Sequence, residues 1–168
     1  MASFDDSQWR VLDLPHDWSI EDLPPAEGKK QIGPFSEDSP GKGSTGHVVG
    51  GIGWYRKIFT LDKQAEGKKV QILFDGVYMN SEVWLNGQRL GNHPYGYTSF
   101  SFDLTPYLRF GKESNVLAVK VDDSGKTSRW YSGAGIYRHV WLTSTDPVHV
   151  AVPWGVKITT PLADAGQA

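Results

Sequence analysis

The stretch FDGVYMNSEVWLNGQRLG, residues 74–91, decides the fold because it predicts a β-hairpin. Residues 79–85 and 88–91 read as strands on either side of Asn86-Gly87. An Asn-Gly pair between two strand-like runs favours a type I′ turn, since both central residues of that turn need positive φ. The sequence therefore predicts two antiparallel strands joined by a tight turn.

Other strand-like stretches surround this hairpin. Their apolar residues recur with a period of two, which places them on one face of a strand. Residues 102–108 instead predict a short helical turn, in which Pro106 suits the first position. No long amphipathic helix is visible, and short strands separated by Gly and Pro predict an all-β fold, an antiparallel β-sandwich. The strand-like stretches are 54–61, 69–75, 115–122, 136–144, 147–153 and 155–160.

Three regions follow one another along the chain. Residues 1–50 are rich in Pro and Gly and predict an irregular segment that packs on the sandwich. Residues 51–160 contain the strand patterns and form the predicted sandwich core. Residues 161–168 read as a linker to a further domain.

Composition excludes several classes of function. The net charge is -2 and no Lys/Arg block stands out, so neither nucleic acid nor a membrane surface is an expected partner. There are 0 cysteines, which excludes disulfides, thiolate metal sites and cysteine nucleophiles. The first residues show no signal-peptide pattern. The compartment stays open between periplasm and cytoplasm.

No motif predicts catalysis, a cofactor or a metal. GKGSTG (41–46) has the spacing of a nucleotide-binding loop but lacks a strand before it and a helix after it. The 5 histidines are scattered, with no pair at metal-ligand spacing. Neighbouring carboxylates point to opposite faces of a strand, which does not give the facing pair that glycoside hydrolysis needs. We expect the chain by itself to be inactive.

The loop that precedes residues 136–142 is the best candidate for ligand contact. Arg129, Trp130 and Tyr131 lie directly before the Gly-rich run Ser132–Gly135. An aromatic ring offers a flat apolar face and a guanidinium offers fixed donors, which together suit a sugar. The alternative is a loop that folds its rings onto the sandwich. Two further loop tyrosines, Tyr95 and Tyr97, are open to the same two interpretations, and packing is the favoured one for both.

Six ordered stretches resemble the N-terminal sugar-binding, jelly-roll domain of glycoside hydrolase family 2, in the style of Bacteroides-like β-galactosidases. The resemblance runs from about Trp9 to about Thr160 and implies a galactose-binding-domain-like sandwich. The stretches are LPHDW (14–18), GWYRKIF (53–59), FDGVYMNSEVWLNGQRLG (74–91), FDLTPYL (102–108), NVLAVKV (115–121) and RWYSGAGIYRHVWL (129–142).

The resemblance implies a parent enzyme in which an immunoglobulin-like domain and a (β/α)8 barrel follow this domain. In that family both catalytic glutamates of the retaining mechanism lie in the barrel. The partners implied are therefore a β-galactoside and these two further domains.

The resemblance also suggests roles for individual residues. The loop before the strand at 136–142 reaches toward the active site in that family, and Arg129 stands where well-known members carry an Asp. A cation-holding role of that Asp is therefore not carried over to this chain. His16, Asp17, Trp18 and Arg138 are expected to have structural or interdomain roles.

Three rival interpretations stay open. The chain could be a freestanding carbohydrate-binding module, which would need its own aromatic platform. It could be a purely structural domain without sugar contact. It could also be the same domain of a β-glucuronidase or a β-mannosidase, which these motifs distinguish only weakly from a β-galactosidase.

Overall fold

The computed structural model describes residues 4–21, 28, 31–32, 35–39, 41–125, 132–151, 154–161 and 166. Within these ranges all regular structure is β-strand or short 3-10 turn. The strands are β1 (Gln31–Ile32), β2 (Phe35–Ser36), β3 (Gly51–Phe59), β4 (Lys69–Phe74), β5 (Ser81–Leu85), β6 (Gln88–His93), β7 (Phe100–Asp103), β8 (Asn115–Asp123) and β9 (Val140–Thr145). The 3-10 turns are Trp18–Ile20, Lys42–Thr45, Lys63–Ala65 and Thr105–Tyr107.

Two sheets make up the body of the molecule. A four-stranded sheet has the order β3-β8-β5-β6, and a three-stranded sheet has the order β7-β4-β9. Every pairing in both sheets is antiparallel. The strands β1 and β2 form a separate two-stranded ribbon. The predicted all-β antiparallel sandwich is confirmed.

The core lies between the two large sheets and follows from the alternation in the sequence. Alternate residues of β4, β5 and β8 point inward, so that each strand contributes two or three side chains. Phe100 and Phe102 of β7 are half-buried and pack against this core. The buried cluster comprises Val70, Ile72, Phe74, Val77, Val83, Leu85, Leu104, Leu117, Val119, Val121 and Ile136.

The predicted hairpin joins β5 to β6. Asn86 has φ 53° and Gly87 has φ 87°, the left-handed conformations that a type I′ turn requires. The Asn86 amide also donates to the carbonyl of Tyr107 (2.8 Å) and to Asn115 Oδ1 (2.9 Å). The turn prediction is confirmed, and its Asn has a second role that the turn pattern does not contain.

Asn115 is fully buried at the start of β8. Its side chain accepts from the backbone N–H of Arg109 (2.9 Å) and donates to the carbonyl of the same residue (2.8 Å). With the Asn86 bond, this amide joins the hairpin turn to the 3-10 turn and the loop that precede β8. It holds one end of the sandwich together.

The opposite end of the sandwich gathers a different set of loops. Because neighbouring strands run in opposite directions, the segments 75–80, 94–99 and 132–139 all emerge at the same end. The N-terminal segment 16–21 joins them there, since His16 and Trp18 bond to the backbone of Ile136 and Ala134. We call these four segments the rim.

The chain after β9 differs from its prediction. Residues 147–153 and 155–160 alternate like strands, yet the described residues 146–151 and 154–161 contain no strand and are exposed. A strand needs a hydrogen-bonding neighbour, and none lies beside these residues in the described part of the chain. No helix among the described residues is long and apolar enough to cross a membrane.

Candidate functional site

The predicted contact residues Arg129, Trp130 and Tyr131 lie outside the residues that the structure describes. Their neighbours Ser132–Ile136 are described. Ser132, Ala134 and Ile136 are buried, so this segment is packed against the body of the domain. The segment at the base of the predicted loop is therefore packed into the rim.

Asp17 fixes this base. Its Oδ1 accepts from the backbone N–H of Ala134 (2.8 Å), the backbone N–H of Ser19 (2.9 Å) and the Ser19 hydroxyl (2.5 Å). A Cβ placed on Gly133 would lie 1.9 Å from Asp17 Oδ2, so only glycine fits against this carboxylate. One carboxylate thus holds the N-terminal segment and the rim segment 132–136 together.

His16 stands at the centre of a second hydrogen-bond chain. Its Nε2 lies 2.7 Å from Glu21 Oε1 and its Nδ1 lies 2.8 Å from Tyr55 Oη. Arg10 completes the chain with bonds of 2.8 and 3.0 Å to the Glu21 carboxylate. The hydrogen bond from Arg10 holds the pKa of Glu21 below its ordinary value. An ionised Glu21 only accepts, which assigns the hydrogen on Nε2 to His16.

Tyr55 ends this chain inside the domain. Burial raises its pKa to about 12, so the phenol stays protonated, and its oxygen lies 2.8 Å from Nδ1 of His16. The backbone N–H of His16 donates to the carbonyl of Ile136 (2.8 Å). The chain therefore runs from the surface to the rim segment and orders it. Its four members, Arg10, Glu21, His16 and Tyr55, also line one wall of a large open groove.

Trp18 packs directly on β3. A Cβ on Gly53 would come within 2.6 Å of the indole, and the indole N–H lies 3.4 Å from the carbonyl of Gly50. LPHDW therefore joins β3 to the rim through three consecutive residues, His16, Asp17 and Trp18.

Arg138 lies on the outside of the rim. Its side chain is exposed and its Cδ lies against Gly76, where an added Cβ would approach it to 2.8 Å. It is separate from the Asp17 and His16 bonds. The structure thus brings three of the four residues predicted for structural or interdomain roles together, and leaves Arg138 apart from them.

Two tyrosines of the rim are more exposed than the sequence predicted. Tyr95 and Tyr97 are 56% and 58% exposed, although packing was the favoured interpretation for both. Their rings contact each other at 5.6 Å between centroids, and Tyr97 rests on the buried Tyr78 at 5.3 Å. The sequence signal for this arrangement was Gly96, which stands between the two tyrosines. Glycine lets the backbone lie directly on a ring, so the flanking side chains can point outward.

A groove of about 1150 Å³ opens beside the rim, between the edge strands β3 and β9. Apolar side chains from both sheets line its floor, including Ile72, Leu117, Val119 and Leu142. Among the described residues no group of three or more His, Cys, Asp or Glu side chains could hold a metal ion. The groove thus has an apolar floor between two strand edges that lack a strand partner in the described part of the chain, and Arg10, His16 and Glu21 lie on its wall.

The fold and the rim together define a class: an antiparallel β-sandwich that gathers ordered, aromatic-bearing loops at one end. Residues 42–146 match the family described as glycosyl hydrolases family 2, sugar binding domain. The chain belongs to this family.

Two relatives align with nearly the whole chain. One is the β-galactosidase BoGH2A of Bacteroides ovatus, 55% identical over 98% of this chain and 18% of its own length. The other is a putative β-glucuronidase of Formosa agariphila, 46% identical over 98% of this chain and 15% of its own.

A solved structure is also similar. A glycosyl hydrolase family 2 member from Bacteroides cellulosilyticus superposes with a TM-score of 0.78 and 49% identity, over 86% of this chain and 18% of that one. The chain thus spans less than a fifth of the length of the relatives that it matches.

Proposed function

We propose that this chain is the non-catalytic sugar-binding domain of a larger retaining glycoside hydrolase of the β-galactosidase type. In this proposal the rim shapes the glycone side of an active site that a (β/α)8 barrel carries. The observation that carries it is the family match across the sandwich, in a chain that spans 15–18% of its relatives.

Exposed apolar residues after β9 support contact between this domain and further domains of the parent. Val148, Val150, Trp154, Val156 and Ile158 are 62–94% exposed and all stand at even-numbered positions. Such an alternating run of exposed apolar residues, which we call the apolar edge, has the character of an interface rather than of a free surface. We assign it to contact with the domains that follow in the parent.

Within this proposal Arg129, Trp130 and Tyr131 contact the sugar, and Asp17 and His16 order the segment that follows them. The test is the parent enzyme with Trp130→Ala. We expect kcat/KM for an aryl β-galactoside to fall by about tenfold, which corresponds to 1.4 kcal/mol of lost transition-state binding. Unchanged kinetics would leave the loop as scaffold only.

A second experiment separates a dependent site from an independent one. The isolated chain is titrated with galactose and lactose while NMR follows its indole N–H signals. We expect no saturable shift, and no hydrolysis of an aryl galactoside or glucuronide, because the proposal leaves the catalytic glutamates in the barrel. If the parent hydrolysed the glucuronide and not the galactoside, it would be a β-glucuronidase.

The alternative is a freestanding carbohydrate-binding module. One observation favours it: Trp54 and Trp84 stack at 5.3 Å on the outer face of the four-stranded sheet, and Trp54 is 40% exposed. A flat aromatic pair on a sheet face can bind a sugar without help from another domain. Saturable galactose-induced shifts of these two indoles in the isolated chain would support the module.

A further inference from the structure

The rim carries an aromatic surface that neither the predicted loop nor the Asp17 bonds account for. Tyr95 and Tyr97 both expose more than half of their side chains, at the tip of the loop between β6 and β7. Their rings meet at 67° to each other. Two phenols at this angle form an open corner with apolar faces and polar tips.

The loop that presents them is held rigidly. The Tyr137 hydroxyl donates to the carbonyl of Gly96 (2.8 Å), and the backbone N–H of Asn80 donates to the carbonyl of Pro94 (3.1 Å). His93 Nε2 lies 3.0 Å from the Thr98 hydroxyl. Three contacts within the six residues 93–98 therefore fix the loop from both sides, and little ordering remains to be done when a ligand binds.

Gly96 makes the close approach of this loop possible. A Cβ at this position would lie 2.2 Å from the ring of Tyr78, so the Gly96 backbone rests directly on that ring. Tyr78 is itself 5% exposed and supports the Tyr97 ring from below at 63°. The exposed pair thus stands on a buried aromatic base.

The same base joins the pair to the rim segment 132–136. The Tyr78 N–H donates to the carbonyl of Gly135, and the Gly135 N–H donates to the carbonyl of Tyr78, both at 2.9 Å. One buried side chain therefore separates Tyr97 from the segment that leads out of the proposed sugar-contact loop. The aromatic corner and the rim segment 132–136 belong to one continuous end of the sandwich.

The Tyr97 hydroxyl of this corner remains a neutral hydrogen-bonding group. Burial and the neighbouring Tyr78 raise the pKa of Tyr97, and burial raises the pKa of Tyr137. A neutral phenol both donates and accepts, which matches the hydroxyl rim of a sugar. A charged ligand would find neither a cation nor an anion in the Tyr95–Tyr97 pair.

We propose that Tyr95 and Tyr97 bind a further sugar unit of an oligosaccharide substrate, beyond the unit held in the glycone pocket. This inference rests on the proposed function and assigns it a substrate class: oligosaccharides rather than simple aryl glycosides. The tyrosines act as specificity-determining residues and touch no reacting bond.

The test uses the full-length parent enzyme with Tyr95→Ala, Tyr97→Ala and the double variant. Each is assayed on an aryl glycoside, which has a single sugar, and on the oligosaccharide that the wild type hydrolyses fastest among a panel with the same terminal sugar. We expect the double variant to lose about tenfold in kcat/KM on the oligosaccharide, the factor that 1.4 kcal/mol of binding gives, with unchanged kinetics on the aryl glycoside. Most of the loss should lie in KM.

Two controls make the result specific. Tyr107→Ala removes a 41% exposed tyrosine at the opposite end of the sandwich and should leave both substrates unaffected. Tyr97→Phe keeps the ring and should retain most of the oligosaccharide activity. Thermal unfolding of each variant shows whether the enzyme remains folded.

The outcomes separate the two proposals. Equal losses on both substrates, or a fall in thermal stability alone, would assign the tyrosines to a contact with another domain and overturn the inference. A wild type that hydrolyses the aryl glycoside but no oligosaccharide would overturn it as well. A wild type without activity on any galactoside or glucuronide would instead remove the proposed function.

Discussion

Among single residues, Asp17 does the most to order the rim. Three hydrogen bonds converge on its Oδ1, and one of them reaches Ala134 on a distant part of the chain. Hydrogen bonds to a charged group are stronger than those between neutral groups. The short motif LPHDW therefore holds the N-terminal segment to the rim segment 132–136, and we call this set of hydrogen bonds the clamp.

Asp17→Ala removes this clamp. We expect the free energy of unfolding to fall by about 2–3 kcal/mol, because the N–H groups of Ala134 and Ser19 lose a charged acceptor. Urea denaturation measures the change. Asp13→Ala, at an exposed position of the same segment, is the matched control and should change stability by less than about 0.5 kcal/mol. Equal effects of the two substitutions would contradict the clamp.

Glu21 makes stability depend on pH in the acidic range. Its pKa in the folded chain lies below its ordinary value of 4.5, mainly through the hydrogen bond from Arg10. A lowered pKa means that its contribution is present above pH 4.5 and is lost as the pH falls through the folded-state value. We expect the thermal midpoint to fall more steeply below pH 4.5 in the wild type than in Glu21→Gln, as measured by circular dichroism from pH 3 to pH 7. Parallel curves would show that the carboxylate contributes nothing.

Among the elements, the hairpin and the loop before β8 are joined through side-chain amides rather than through the core. Asn115 is fully buried and bonds to Arg109 and Asn86. Loss of this buried amide would leave the N–H and the carbonyl of Arg109 without their partner. The end of the sandwich opposite the rim is therefore closed by polar contacts.

Asn115→Ala should destabilise the domain by about 2–4 kcal/mol, since it leaves a small cavity and unpairs the N–H and carbonyl of Arg109. Asn92→Ala, an exposed amide on β6, serves as the control. Guanidinium denaturation measures both variants. A cost below about 1 kcal/mol for Asn115→Ala would mean that water replaces these bonds without loss.

The elements also show which features the sequence could predict. The hairpin, the inward faces of β4 and β8 and the 3-10 turn at Thr105–Tyr107 depend on local patterns, and all were predicted correctly. The residues after β9 have the alternation of a strand but no neighbour to pair with, so the local pattern was misleading there. The Asp17–Ala134 bond joins distant parts of the chain, and no local pattern contains it. Exposure of Tyr95 and Tyr97 depends on how Gly96 packs on Tyr78, which only the folded chain defines.

For the molecule as a whole, the exposed apolar edge at residues 148–158 should govern behaviour in solution. Val156 and Ile158 are exposed and alternate with the polar Lys157 and Thr159. If this segment becomes extended, the two sets point to opposite faces, and its apolar face favours pairing with another chain. The isolated protein should therefore associate reversibly as its concentration rises.

Val156→Asp combined with Ile158→Asp should abolish this association, which sedimentation velocity measures across a hundredfold range of concentration. Lys157→Asp combined with Thr159→Asp places the same number of new carboxylates on the other face and should have the smaller effect. An isolated wild-type chain that stays monomeric throughout would show that this edge is covered by its own domain.

The clamp at Asp17 has a consequence for synthesis on the ribosome. Asp17 and Ala134 are separated by 117 positions. At about 5–20 residues per second, translation needs on the order of ten seconds between them. During that time Asp17 lacks its partner Ala134, so the nascent N-terminal segment is not yet fixed to the rim segment 132–136. Completion of the rim is thus a late step of co-translational folding, set by translation speed rather than by the local motif.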